Sequence, residues 1–520
     1  MKSLVMVCLL TLAASGDAWA QSQIDTVKVT GGTIQGVAAN NVVSFKGIPF
    51  AAPPTNLNRW RAPQPVRAWS GVKRADTFGP GCMQDPSMAV MFGAPPKVSE
   101  DCLYLNVWTP ARTASERLPV MVWIYGGGFS AGMTSIPLYD GTRLAHQGVI
   151  VVSIAYRVGP FGFLAARQLA HEGKGTGNYG LLDLIAGLQW VKKNIDGFGG
   201  DSAHVTIFGE SAGGIAVSIL AASPLAKGLF QRAISESGGN FQPPKFANEG
   251  GLNGQPLKLA EKEGDEFLTN LGTRDIMAAR TVSADLIQRD GAAASAPRFW
   301  PVFDGYVLPG DEYELYELNR FNDTPVLIGT NSDEGALFAQ PGVTATSFRA
   351  QVQQGYDIKA SSILTAYPSS TDAEAATSSK NLFRDTAFGW PTWTWARLQS
   401  RVGKNPVFIY YFDHRTPLSP EGATHGAEMQ YVFGNFDTRQ GATSAADAAL
   451  SEHMMAYWVN FAKTGNPNGT GLPNWPAFTQ NSQQVLYLDA TIAAKPVPNS
   501  AQLQVLDDYF AWRRAEAEKR

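Results

Sequence analysis

Three cysteines in 520 residues leave too little sulfur for a disulfide-dense scaffold, so a hydrophobic core has to hold this chain together. Charge of one sign is scarce as well. The 42 basic and 45 acidic residues give a formal net charge of −3 without long runs of either sign, which excludes the electrostatic footprint of a nucleic-acid binder and favours small neutral ligands. No apolar run approaches the roughly 20 residues that a membrane span requires. Internal repeats and Pro/Ser linkers are absent too. What is plentiful is apolar and turn-forming: 44% hydrophobic residues against 17% charged, with 52 Gly and 32 Pro, a balance that predicts a large core tied together by many turns. The length alone would suggest about three average domains, but no break in composition divides the chain. A single large domain over residues 21–520 is therefore expected.

The N-terminus carries Lys2, an apolar run from Leu4 to Ala14 and Ala18-Trp19-Ala20. These are the basic, hydrophobic and small-x-small parts of a secretory signal, cleaved after Ala20. The signal predicts export, to a periplasm or outside the cell, without a stable membrane anchor. Cys8 lies inside the run and is lost on processing. Cys82 and Cys102 remain, an even pair for which a disulfide is the expected state in an exported protein and two buried thiols the alternative.

Thr26–Val29, Thr33–Gln35 and Val42–Lys46 predict short antiparallel strands at one edge of a sheet. Tyr104–Trp108, Val120–Tyr125 and Val149–Tyr156 are short apolar runs bounded by turn signals, as expected of central strands buried on both faces. Leu182, Ile185, Leu188 and Val191 follow helical spacing within Leu181–Asn194; a strand over Val205–Phe208 and a helix over Ala212–Ala222 come next. Ala233–Ser235, Val326–Gly329 and Val407–Phe412 repeat the strand signature, separated by helical excursions near Leu257–Arg289 and Ser347–Ser400. Such alternation predicts an α/β fold: a mostly parallel sheet with helices on both faces, because right-handed crossovers place helices there.

Gly209-Glu210-Ser211-Ala212-Gly213 fits G-x-S-x-G, a weak signal alone in a chain this rich in glycine. Its place between a strand and a helix strengthens it, since that sharp turn presents a serine and needs glycine where backbones meet. A serine nucleophile requires a histidine and, behind it, a carboxylate. In this chain order the base follows the serine, which leaves His414, His425 and His453. His453 sits in the helical run Ser451–Lys463 and His414 ends a strand, whereas His425 lies in the loop Gly422-Ala423-Thr424-His425-Gly426, where catalytic groups converge. For the acid, the strand Val326–Gly329 runs into Thr330-Asn331-Ser332-Asp333-Glu334-Gly335, and spacing does not separate Asp333 from Glu334. Tyr125-Gly126-Gly127-Gly128-Phe129 follows a buried strand and can aim backbone N–H groups at an oxyanion, with the amide of Ala212 as a further donor.

Glu100-Asp101-Cys102-Leu103-Tyr104-Leu105-Asn106, Tyr125–Phe129, Phe208–Gly214 and Phe461-Ala462-Lys463-Thr464-Gly465-Asn466-Pro467 together resemble the type-B carboxylesterase and cholinesterase family over nearly the whole chain after the signal. The resemblance implies an α/β-hydrolase fold and a secreted serine carboxylesterase that works through an acyl-enzyme. It selects Glu334 over Asp333 as the acid and supports His425, which precedes Gly426. It also implies Gly127, Gly128 and Ala212 as oxyanion donors, Ser237 as a support behind the triad, and Cys82–Cys102 as the first disulfide loop. Arg59 with Glu100 and Arg157 with Asp183 match the family's internal salt bridges. The implied chemistry needs neither metal nor cofactor. One departure matters: residues 83–101 contain no tryptophan, so choline esters lose the cation–π platform that cholinesterases place there. The same loop carries Met83, Met88, Met91 and Phe92, which could line a tolerant gorge or merely stud an exposed loop. Two other functions stand beside the esterase: a lipase or polyester hydrolase of the same fold, and an inactive binding protein, which would not need the complete catalytic set.

Overall fold

The computed structural model describes residues 24–517 except 92, 247–251, 274, 294–298 and 437–442; the secretory signal and Phe92 lie outside the described residues. Its backbone is organised by a sheet of 11 strands: β1 (Val37–Ala39), β2 (Val42–Pro49), β3 (Tyr104–Thr109), β4 (Leu118–Ile124), β5 (Ile150–Ile154), β6 (Gly200–Glu210), β7 (Arg232–Glu236), β8 (Val326–Asn331), β9 (Val407–Phe412), β10 (Gln484–Leu488) and β11 (Ala493–Pro496). Their spatial order is β11-β10-β9-β8-β7-β6-β4-β5-β3-β2-β1. Strands β5, β4, β6, β7, β8, β9 and β10 pair in parallel, while β1, β2 and β3 at one edge and β11 at the other pair antiparallel.

One sequence expectation needs correction. Thr26–Val29 and Gly32–Gln35 do form a hairpin, but with Val72–Arg74 they make a separate three-stranded sheet instead of the edge of the large one. An antiparallel hairpin carries the same alternation whichever sheet receives it, so sequence pattern could not assign its partner. The strand at Tyr104–Thr109 is buried as expected, yet it runs antiparallel to both neighbours.

The central parallel strands are apolar on both faces because helices cover both. β8 and β9 are buried along their whole length. Helix α1 (Tyr179–Asn194) buries most of its residues, and α2 (Ala212–Ala222) buries every one, which is why its sequence, AGGIAVSILAA, is apolar all round instead of striped. The excursion after β8 contains α3 (Asp372–Arg384), a π turn (Asp385–Gly389) and α4 (Trp390–Val402) as one continuous helical run. α5 (Ala445–Thr464) starts at a capping box between Ser444 and Asp447. Cys82 and Cys102 are disulfide-bonded. Arg59 meets Glu100 at 2.6 Å and the fully buried Arg157–Asp183 pair meets at 2.8 Å, both as the resemblance implied. No helix among the described residues is long and apolar enough to cross a membrane.

Candidate active site

The strand β6 ends at Glu210 and α2 begins at Ala212, so the whole reversal of direction falls on Ser211, which adopts φ 57° and ψ −124°. A non-glycine residue in that region costs on the order of 1–3 kcal/mol and persists only where its surroundings fix it. Glycines supply the room. A β-carbon on Gly213 would stand 2.0 Å from the carbonyl oxygen of Ile124, and one on Gly209 would stand 2.6 Å from the same atom. Gly126, the first of the three glycines after β4, approaches the serine itself: a β-carbon there would lie 2.9 Å from Cβ of Ser211. The glycine run and the serine turn are thus pressed together.

Gly127 and Gly128 both have positive φ, 106° and 61°, a turn conformation in which successive N–H groups can converge on an anion. A β-carbon on Gly128 would meet nothing closer than Oγ of Ser130 at 3.7 Å, so this glycine borders open space. Ala212 is the first residue of α2, and its N–H therefore has no acceptor within the helix.

Behind the serine, the structure separates the two carboxylates that sequence left together. Asp333 turns to Lys380, 2.9 Å away, and its N–H donates to the carbonyl of Ala423. Glu334, fully buried at the start of a short 3₁₀ turn after β8, accepts from Oγ of Ser237 at 2.5 Å and from the N–H of Asn331 at 2.7 Å, and its second oxygen lies 2.5 Å from Nδ1 of His425. The histidine loop is tied to the acid loop by a bridge between Asp333 and Thr424 and by the Asn331 side chain, which donates to the carbonyl of Thr424. Of the other histidines considered, His414 is fixed between Asp489 at 2.9 Å and Asp447 at 2.8 Å, and His453 lies on α5. Neither joins Glu334.

Sequence reasoning missed several neighbours of His425. Nε2 lies 3.2 Å from an oxygen of Glu210, in charge contact but without hydrogen-bond alignment. Glu210, Glu236, Glu334 and Glu428 are all buried. Glu428 accepts from the Asn331 amide at 2.5 Å, and Glu236 accepts from the indole of Trp458 at 2.8 Å. Burial, reinforced by the neighbouring carboxylates Glu210 and Glu334, pushes the Glu428 carboxyl up to about 8. Burial likewise pushes Glu210 up to about 7, against the opposing pull of His425 and with Glu334 adding to the rise. For His425 burial acts downward, but Glu210, Glu334 and Glu428 outweigh it and raise the imidazole to about 9. Two rings also touch His425: Phe388 nearly parallel at 4.6 Å and 28°, Phe338 edge-on at 5.3 Å and 64°. Only Glu210 carried any signal, as the variable residue of G-x-S-x-G.

Within the disulfide loop Met83 is buried in the core and Met91 is 68% exposed, so these two methionines do not share one apolar wall. Met88's side chain is outside the described residues.

A model of the carboxylesterase family matches residues 23–506 of this geometry-bearing chain. The chain belongs to the carboxylesterase family. Similar members include the fumonisin B1 esterase of Sphingopyxis macrogoltabida, 36% identical over 467 residues that cover 87% of this chain and 84% of that protein. The para-nitrobenzyl esterase of Bacillus subtilis (strain 168) is 37% identical over 501 residues, covering 91% and 97%. A solved PNB esterase superposes with a TM-score of 0.80 at 36% identity, covering 93% of this chain and all (100%) of that one. This family member therefore has the α/β-hydrolase fold and is a serine hydrolase acting on carboxylic esters.

Proposed function

We propose that this carboxylesterase-family protein works through Ser211, His425 and Glu334 in two acyl-transfer steps. The observation that carries the reading is the buried chain of contacts from Ser237 through Glu334 to His425, set behind a serine with φ 57° at a strand-to-helix turn. Glu334 holds the proton on Nδ1, which leaves the Nε2 lone pair to take the serine proton as Oγ attacks the ester carbonyl. The amides of Gly127, Gly128 and Ala212 receive the oxyanion, the alcohol leaves with the proton from Nε2, and water repeats the sequence to release the acid. Ser237, donating to the second face of the carboxylate, keeps Glu334 aimed at the imidazole.

The substrate is a small carboxylic ester. With no tryptophan between Met83 and Asp101, quaternary ammonium esters are disfavoured. The N-terminal pattern supports cleavage after Ala20 and function as one domain, residues 21–520, in a periplasm or outside the cell.

The test is hydrolysis of p-nitrophenyl esters of increasing acyl length by the mature chain and by Ser211→Ala prepared identically. Turnover should fall by on the order of 10⁶ with the serine gone, because triad members act as a unit. Unchanged turnover would remove Ser211 from the mechanism. A marked gain at lipid or polymer surfaces would move the reading to a lipase or polyester hydrolase.

A further inference from the structure

The helical run from Asp372 to Val402 is interrupted by a π turn at Asp385–Gly389, just before Pro391. Proline has no N–H to donate and its ring collides with the carbonyl four residues back, here Ala387, so the turn has to widen at this point. The widened turn is pinned on its far side. The carboxylate of the buried Asp385 binds the Arg384 guanidinium at 2.8 Å and accepts from the Tyr367 hydroxyl at 2.9 Å. On its near side it carries Phe388, only 1% exposed, flat against the imidazole of His425. Phe388 also packs against Phe338 at 6.0 Å and Phe383 at 6.1 Å, so its ring is held from two further directions.

We propose that Phe388 is a positioning residue for acyl transfer: the π turn lays its ring on His425, fixing the imidazole plane and stabilising the imidazolium that forms when the serine proton is taken. The inference rests on His425 being the general base. An imidazole held at Nδ1 by one carboxylate can still swing about that bond; a ring stacked on its face and a second ring at its edge remove that freedom. A cation against an aromatic face in a water-poor site is attracted more strongly than the neutral ring, so the contact favours the protonated form. The charged groups facing His425 are all carboxyls, namely Glu210 from the end of β6, Glu334 after β8 and Glu428 from its own segment. They act on the imidazole by charge, whereas Phe388 also acts by shape.

The experiment compares wild type, Phe388→Leu, Phe388→Tyr and Tyr367→Phe, measuring kcat and KM on p-nitrophenyl butyrate across pH. Alongside, the His425 ring is titrated by NMR on histidine-labelled protein, assigned with His425→Gln. Phe388→Leu should lower kcat about 30-fold, the scale of a desolvated cation–π contact. Its KM should stay within about twofold, since no substrate contact is removed. The His425 midpoint and the acid limb of kcat/KM should both move to lower pH. Phe388→Tyr, which keeps the ring, should restore both. Tyr367→Phe, which removes the hydroxyl bonded to Asp385 and leaves the buried ring, should move both in the same direction by less, and it carries the test if the leucine variant does not fold. Wild-type kcat with an unmoved titration, or a loss of kcat with an unmoved titration, overturns the proposal. Full turnover in His425→Gln would refute the triad reading and the role in acyl transfer with it, whereas loss of turnover in His425→Gln with an unmoved titration in Phe388→Leu would overturn the role of Phe388 alone.

Discussion

Glu210 has its electrostatic setting imposed by neighbours it does not choose. Strand β6 must reach Ser211, so Glu210 is carried into the sheet's interior, where its carboxylate faces Nε2 of His425 at 3.2 Å. The imidazole is raised to about 9, because Glu210, Glu334 and Glu428 together outweigh its burial. In the proposed mechanism His425 is the general base and acts when unprotonated, so kcat/KM should rise with pH along a limb above the ordinary histidine value. Glu210→Gln removes one of the charges responsible. The limb should then move toward about pH 6.5, and the plateau should fall roughly tenfold as the imidazolium of the transition state loses a partner. Profiles of kcat/KM from about pH 5 to about pH 10 for both proteins decide it. A limb that stays in place would show that Glu210 does not set the charge of His425.

At the level of elements, the serine turn is a collision avoided by glycine, and that makes it testable without touching a reacting group. Gly213→Ala places a β-carbon 2.0 Å from the Ile124 carbonyl oxygen and 2.9 Å from that of Tyr125, both backbone atoms that cannot swing aside. Either α2 lifts from the end of β4 or the glycine run after Tyr125 shifts. A displacement of about 1 Å at the reacting groups costs on the order of 10²-fold in rate, and that loss in kcat is the expected outcome. Steady-state kinetics with circular dichroism to confirm folding would check it; wild-type kcat in a folded Gly213→Ala protein would mean the turn tolerates the shift. These contacts also explain which parts of the site could be read from sequence. The α2 boundaries at Ala212 and Ala222 and the strand Val407–Phe412 were legible because each is a continuous apolar run that is buried along its whole length. Glu334 against Asp333 was not legible from spacing, since the choice depends on Lys380 reaching one carboxylate from α3. Phe388 and Glu428 left no local signal at all: Phe388 reaches His425 only because a helical run distant in sequence packs against it, and Glu428, three residues after His425, matters only because the fold buries it among other carboxylates. The separate sheet of Thr26–Val29, Gly32–Gln35 and Val72–Arg74 escaped for the same reason.

For the whole molecule, the buried acids behind Ser211 tie the charge of the proposed base to stability. Glu210 and Glu428 sit at about 7 and about 8, above the usual 4.5 of a glutamate, and burial holds Glu236 well above it too. A raised acid binds its proton more tightly in the folded chain, so its contribution is fully present below about pH 4.5 and lost as pH rises through the folded value. His425, raised from 6.5 to about 9, has the same sign: its contribution is present below 6.5 and lost as pH climbs toward 9. The folded state thus binds more protons than the unfolded one across this window, and unfolding free energy must decrease with pH. Asp447 opposes this only in acid, since it is lowered to about 2 by bonds from Ser444, Tyr431 and His414 that outweigh its partial burial, and its contribution is lost as pH falls toward that value. Thermal unfolding should therefore show Tm highest near about pH 4.5 and declining from there to about pH 9, the glutamates acting first and His425 above about pH 6.5. Glu428→Gln, isosteric and unable to ionise, should flatten that decline while leaving Tm at or below about pH 4.5 within a few degrees, because there the carboxyl it replaces is largely protonated in both the folded and the unfolded chain. If Tm is level across the window in wild type, or the decline is unchanged in Glu428→Gln, the buried acids are not what couples this protein's stability to pH.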